Sequence, residues 1–169
     1  MNEPRPRISR RQITDRKCLC IMAISFSGKC CFKILDPFQT LNAQGFQSFL
    51  QIMIHNFNRH VNPLSSDEMI LIMDNARPHI SNQSLSYLRK KGIYNLRQPP
   101  YSPDYNLMDR FIFSELERGR IDLNFNTKEE LASYIKQSAQ KFTPNRLHRQ
   151  FEYLKNDIQS VIDNEGNYL

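Results

Sequence analysis

Met69-Ile70-Leu71-Ile72-Met73 is an unbroken apolar run that stops at a carboxylate, Asp74. A half-solvated strand would alternate apolar and polar residues, so this run predicts a strand buried on both faces, as in sheets covered by helices on each side. The rest of the chain must then provide helical layers and further strands. Asp74 falls at the carboxyl end of that strand.

The flanking patterns meet this demand. Cys18 to Phe26 is apolar and β-prone, Ser27-Gly28 marks a turn, and Cys30 to Leu35 resumes the pattern, which predicts a β-hairpin. From Asn42, the residues Phe46, Phe49, Leu50, Met53, Ile54 and Phe57 fall on one face of a helix. Ser81 can cap a short helix through Leu85 and Leu88 that closes on Arg89-Lys90-Lys91 and Gly92, a basic last turn followed by glycine. Ile93 to Leu96 can form another strand.

Gln98-Pro99-Pro100-Tyr101-Ser102-Pro103-Asp104 is irregular, because its three prolines remove backbone donors and fix φ, and a helix is expected from about Asn106 to Glu117. Thr127 with Glu130 forms a capping box before Leu131, Ile135 and Phe142. Thr143-Pro144 opens a last helix with Leu147, Phe151, Leu154, Ile158 and Val161 on its apolar stripe and Gly166 beyond its end. Strands interleaved with helices, without repeats, predict one α/β domain of three layers over residues 18–169, preceded by an arm over 1–17.

Charge is concentrated in that arm. Arg5, Arg7, Arg10, Arg11, Arg16 and Lys17 against Glu3 and Asp15 leave +4 there, out of a net +6 for 169 residues. The arm reads either as a solvated terminus or as a phosphate contact. Cys18, Cys20, Cys30 and Cys31 have C-x-C and C-C spacings that match no zinc site and read as buried free thiols of a reducing compartment. No apolar run approaches the roughly 18 residues of a membrane span, and Met1 leads into a polar arm, so a soluble intracellular protein is expected.

The chemistry gathers around two motifs. Asp74 opens Asp74-Asn75-Ala76-Arg77-Pro78-His79, and 34 residues separate it from Asp109, which follows Pro99-Pro100-Tyr101-Ser102-Pro103-Asp104. Here the chain closely resembles the mariner branch of the Tc/mariner transposases, which shows a buried strand ending in D-N-A-x-P-H, the same 34-residue interval, P-P-Y-S-P-D and a last Asp. The resemblance extends to Lys17–Ser27, to Phe38-Gln39-Thr40-Leu41-Asn42 and to the tail from Val161 to Leu169.

The resemblance implies a ribonuclease-H-like fold and a DDE/D catalytic domain whose three acids hold two Mg²⁺ (or Mn²⁺) ions to cut transposon ends and join them to target DNA. Two such ions stabilise the attacking and leaving oxygens of an in-line phosphoryl displacement. Asp74 and Asp109 match the second and third acids. DNA is the implied partner, with a homodimer also admitted, no membrane, and a nuclear location.

Nothing before Lys17 supplies the family's first strand with its Asp-Glu. Asp15 lies in a basic arm and Asp36 at a place the motif does not use. The expectation is therefore a domain truncated at its N-terminus, missing a central strand and its acid, and inactive alone. The alternative is a host-adopted nucleic-acid-binding or protein-interaction module without catalysis.

Of the remaining candidates, His79 reads either as a phosphate contact or as a helix cap, and Arg77 belongs to the motif without a derivable role. Arg89, Lys90, Lys91 and Arg97 read as DNA-backbone contacts or as a solvated helix end. Asp104 reads as a turn residue, and His55, His60 and His148 as ordinary histidines.

Overall fold

The computed structural model describes residues 18–58 and 69–166; the basic arm, His60 and the end of the tail motif lie outside the described residues. The hairpin forms as β1 (Cys20–Ile24) and β2 (Cys30–Ile34), antiparallel, with Cys20 opposite Ile34 and Ile24 opposite Cys30. Its turn needs Gly28, at φ +82°, where a Cβ would stand 2.9 Å from the Phe142 carbonyl oxygen.

Helix α1 (Ala43–Asn58) follows, then β3 (Ile70–Met73), α2 (Asn82–Lys90) and β4 (Tyr94–Arg97). Strands β3 and β4 are parallel, with Ile70 opposite Tyr94 and Met73 opposite Arg97. The Ser81 hydroxyl accepts the Ser84 amide at 3.2 Å and so caps α2, whose basic last turn ends at Gly92 with φ +67°.

Strand alternation produces the layers. On one face Ile21 and Cys31 pack with Phe46, Phe49, Leu50 and Met53 of α1 and with Leu88 of α2. On the other, Met22, Cys30 and Phe32 pack with Phe111, Ile112, Ile135, Phe142 and Leu147. Leu50, Met53, Ile112 and Leu147 are at most 1% exposed, each stabilising the fold by about 1.5–3 kcal/mol.

Helices α4 (Lys128–Ala139) and α5 (Pro144–Asp163) form this second layer. The Thr127 hydroxyl accepts the Glu130 amide, as a capping box requires, while the Glu130 carboxylate reaches back to the Asn126 amide.

Two expectations are corrected. Strand β3 is not buried on both faces: Met73 is buried and Leu71 packs towards α1, but Ile70 is 63% and Ile72 37% exposed. Their parallel neighbours Tyr94 and Leu96 are exposed too. The second helical layer packs on the hairpin and contributes no cluster residue against β3 or β4.

The expected helix over 106–117 is also two pieces, a π-helix (Met108–Phe113) and α3 (Ser114–Gly119), preceded by a 3-10 turn (Pro103–Tyr105). The π turn shifts the helical register, so Asp109 stays at the surface while Phe111 and Ile112, adjacent in sequence, both enter the core.

The four strands do not form one sheet. β1 pairs only with β2 and β3 only with β4, so among the described residues no strand lies between the free edges of β1 and β3. Between them runs a cleft of about 560 Å³ lined by Ile21 to Phe26 and by Met69 to Met73.

Candidate functional site

Asp74 leaves the end of β3 directly into a turn, where its Oδ1 accepts the Ala76 amide at 3.1 Å. The same oxygen lies 2.5 Å from Nδ1 of His79. His79 is largely buried, its ring 4.3 Å from that of Phe46. It therefore orients Asp74, and the helix-cap alternative falls to Ser81.

Asp109 occupies the first turn of the π-helix. Its Oδ2 accepts from Nδ2 of Asn106 at 2.7 Å, while Oδ1 of Asn106 accepts the Met108 amide at 3.0 Å. Partial burial raises the Asp109 pKa, the nearby charge of Asp74 raises it further, and the Asn106 hydrogen bond opposes both. The 34-residue interval thus closes into one site with two carboxylates.

A polar relay joins the two acids. Asn75 donates to the Gln98 carbonyl at 2.8 Å, and the Gln98 side chain donates to the Tyr105 carbonyl at 3.1 Å, one residue before Asn106. Neither Gln98 nor Asn106 stood out in the sequence. The available signal was an amide three residues ahead of a motif aspartate, hidden in a proline-rich segment.

The basic candidates divide into two groups. Arg97 faces Met73 across the β3–β4 pair, beside Asp74, and Arg77 lies in the Asp74 turn. Arg89, Lys90 and Lys91 stand at the far end of the nine-residue α2, about 13 Å along its axis from its start near His79. All five are exposed, and none belongs to an ion pair among the described residues. Asp104 sits exposed in the 3-10 turn, as a turn residue should. His148 stacks on Phe26 rather than approaching the acids.

Hard cations need several oxygen ligands. The site offers two acids, one already engaged by His79, and among the described residues there is no group of three or more His, Cys, Asp or Glu that could hold a metal ion. This set does not fit a two-ion centre.

The profile described as DDE superfamily endonuclease matches residues 3–141, most of the chain. The chain belongs to the DDE superfamily endonucleases. Its fold is that of mariner transposase catalytic domains: it superimposes on the catalytic domain of Mos1 mariner transposase with a TM-score of 0.82, at 20% identity, over 91% of this chain and 76% of that one. A pre-cleavage Mos1 transpososome gives 0.89 at 19% identity, over 99% of this chain and 49% of that one.

A human relative, histone-lysine N-methyltransferase SETMAR, is 23% identical over 146 residues, 86% of this chain. This DDE domain spans 21% of that relative's length and about half of the Mos1 chain in the pre-cleavage transpososome. The ribonuclease-H-like fold expected from the motifs is thus the one observed, with the central strand position empty among the described residues.

Proposed function

We propose that this chain is the body of a mariner-like transposase catalytic domain, derived from Mg²⁺- or Mn²⁺-dependent cleavage and transfer of DNA strands, and that it is inactive alone. The observation that carries this reading is the convergence of Asp74 and Asp109, held by His79 and Asn106, at one end of the β3–β4 pair. Solved Mos1 neighbours include a paired-end complex with Mn and a catalytic domain with Raltegravir and Mg. The ligand count supports inactivity, since two carboxylates leave divalent ions under-coordinated.

DNA, as transposon ends and target, is the proposed partner, and the nucleus the proposed site of action. Arg77 and Arg97 flank the acids and suit phosphate contact, whereas Arg89, Lys90 and Lys91 would meet the backbone farther along the same face. The second reading, a nucleic-acid-binding module without catalysis, is favoured by the same incomplete ligand set.

The test is nicking of supercoiled DNA by the 169-residue chain in Mg²⁺ or Mn²⁺. No cleavage above background is expected, together with DNA binding that weakens steeply with salt. Metal-dependent nicking that disappears in Asp109→Asn would overturn inactivity. DNA binding unchanged in Asp74→Asn, with no metal dependence, would select the non-catalytic module.

A further inference from the structure

We propose that the end of the molecule opposite the two acids, where α4 passes into α5 beside the hairpin turn, is a second nucleic-acid surface. It grips the sugar-phosphate backbone of duplex DNA without reading its sequence.

Composition singles out this stretch. The chain has 17 acids in 169 residues, yet Leu131 to Phe151 contains none while carrying Lys136, Lys141, Arg146 and Arg149. Arg146 is used inside the fold, against the Glu115 carboxylate at 2.6 Å and the Phe111 ring. Lys136, Lys141 and Arg149 are exposed and belong to no ion pair among the described residues. Surface cations are ordinarily interspersed with acids, and cations left without them create a local field that draws polyanions.

Packing brings these cations to one end. A Cβ on Gly28 would stand 2.9 Å from the Phe142 carbonyl oxygen, and the Phe26 ring lies 5.2 Å from that of His148. The α4–α5 connection and the first turns of α5 therefore sit against the hairpin turn. Lys141 belongs to that connection, and Lys136 to the last turn of α4. Arg149 lies one turn beyond Asn145 on the outer face of α5, away from buried Leu147.

Helix α1 measures the separation from the acids. At its start the Phe46 ring meets His79, the partner of Asp74, and at its end the Phe57 carbonyl accepts from Lys29 of the hairpin turn. The rise from Phe46 to Phe57 is about 17 Å, so the basic end stands clear of the acid site.

The neighbours of the cations decide the kind of partner. Protein interfaces are anchored by apolar and aromatic side chains, and none of the exposed large hydrophobic residues falls between 131 and 151. The exposed side chains there include Gln137, Gln140, Thr143 and Asn145. Hydroxyls and amides of this kind, with Lys and Arg, make most hydrogen bonds to phosphate and sugar. The surface extends the DNA binding proposed above and rests on that reading, but it uses neither acid and neither Arg77 nor Arg97.

The experiment measures binding of the 169-residue chain to a labelled DNA duplex of arbitrary sequence, by fluorescence anisotropy between about 50 and 200 mM salt. Combining Lys136→Gln, Lys141→Gln and Arg149→Gln should weaken binding about tenfold or more at the lower salt. The slope of log affinity against log salt should shrink by about two to three. A control with the same loss of charge elsewhere, Lys33→Gln with Arg118→Gln and Lys155→Gln, should lose less than about threefold. In the unsubstituted chain, duplex should slow amide hydrogen exchange over residues 140–149.

Equal losses in the two variants would reduce the effect to net charge and overturn the proposal. Polyglutamate that competes as well as unlabelled duplex would assign the surface to an acidic polypeptide instead. Failure of the unsubstituted chain to bind any duplex would sink the DNA reading as a whole. Binding that is unmoved by the three substitutions, with no protection over 140–149, would sink this surface alone.

Discussion

Strands β1 and β3 are both wholly apolar, yet the fold treats the two strand pairs they belong to differently. The β1–β2 hairpin is packed on both faces, with α1 on one side and the α4–α5 layer on the other. The β3–β4 pair is packed on one face and leaves Ile70, Ile72, Tyr94 and Leu96 exposed on the other. Strand composition therefore does not set burial here. Burial follows from how far the C-terminal helices reach, and they stop at the cleft where the two half-sheets part.

The sharpest way to break this contrast is to truncate one side chain in each half. Met22 is 8% exposed inside the second core cluster. Met22→Ala should cost about 2–5 kcal/mol, the range for a large buried side chain cut to alanine. Ile70→Ala removes a similar side chain from the uncovered face and should stay within about 0.5 kcal/mol. Urea unfolding followed by circular dichroism measures both. A loss at Ile70 as large as that at Met22 would mean that the exposed face of β3 is covered in solution.

A smaller effect is expected where the two halves meet the acid site. Asn106 is 7% exposed and spends both ends of its amide, one on Asp109 and one on the Met108 amide. Asn106→Ala leaves the part-buried Met108 amide without this acceptor, which should cost about 1–3 kcal/mol. It also removes the hydrogen bond that favours the charged form of Asp109, so the carboxyl should titrate at a still higher pH. Carbon-detected NMR of the side-chain carboxyl follows that titration; an unmoved Asp109 would show that the relay does not reach it.

Local patterns made most of this fold legible. The Ser27-Gly28 turn, the six apolar positions of α1, the Ser81 cap and the Thr127–Glu130 box each depend on neighbours within a few residues, and each stands where its pattern placed it. The motif interval likewise brought Asp74 and Asp109 together.

What stayed hidden was non-local. A run such as Met69 to Met73 states that its residues are apolar, not whether a second layer arrives to cover them. The π turn at Met108–Phe113 differs from an α-helix by one residue of register, which apolar spacing does not resolve over six residues. Gln98 links the acids through its carbonyl and its side chain, a role that only the folded path of a proline-rich segment can create.

The mildest prediction concerns the charge shared across the site. The folded-state pKa of Asp109 is raised, by partial burial first and by Asp74 second. A raised carboxyl binds its proton more tightly in the folded chain than in the unfolded one, so its contribution to stability is fully present below the unfolded value, about pH 4. It is lost as pH rises through the folded value. Asp109→Asn removes this titration and should make the melting temperature slightly higher than wild type at neutral pH, with the difference vanishing below about pH 4.

Asp74→Asn should shift the Asp109 titration back towards the ordinary range, because it removes a like charge. Thermal melts of both variants across pH provide the measurement. A constant offset between Asp109→Asn and wild type at every pH would mean that packing, not charge, separates them. The two acids would then be independent residues at the end of β3 and in the π turn rather than one site.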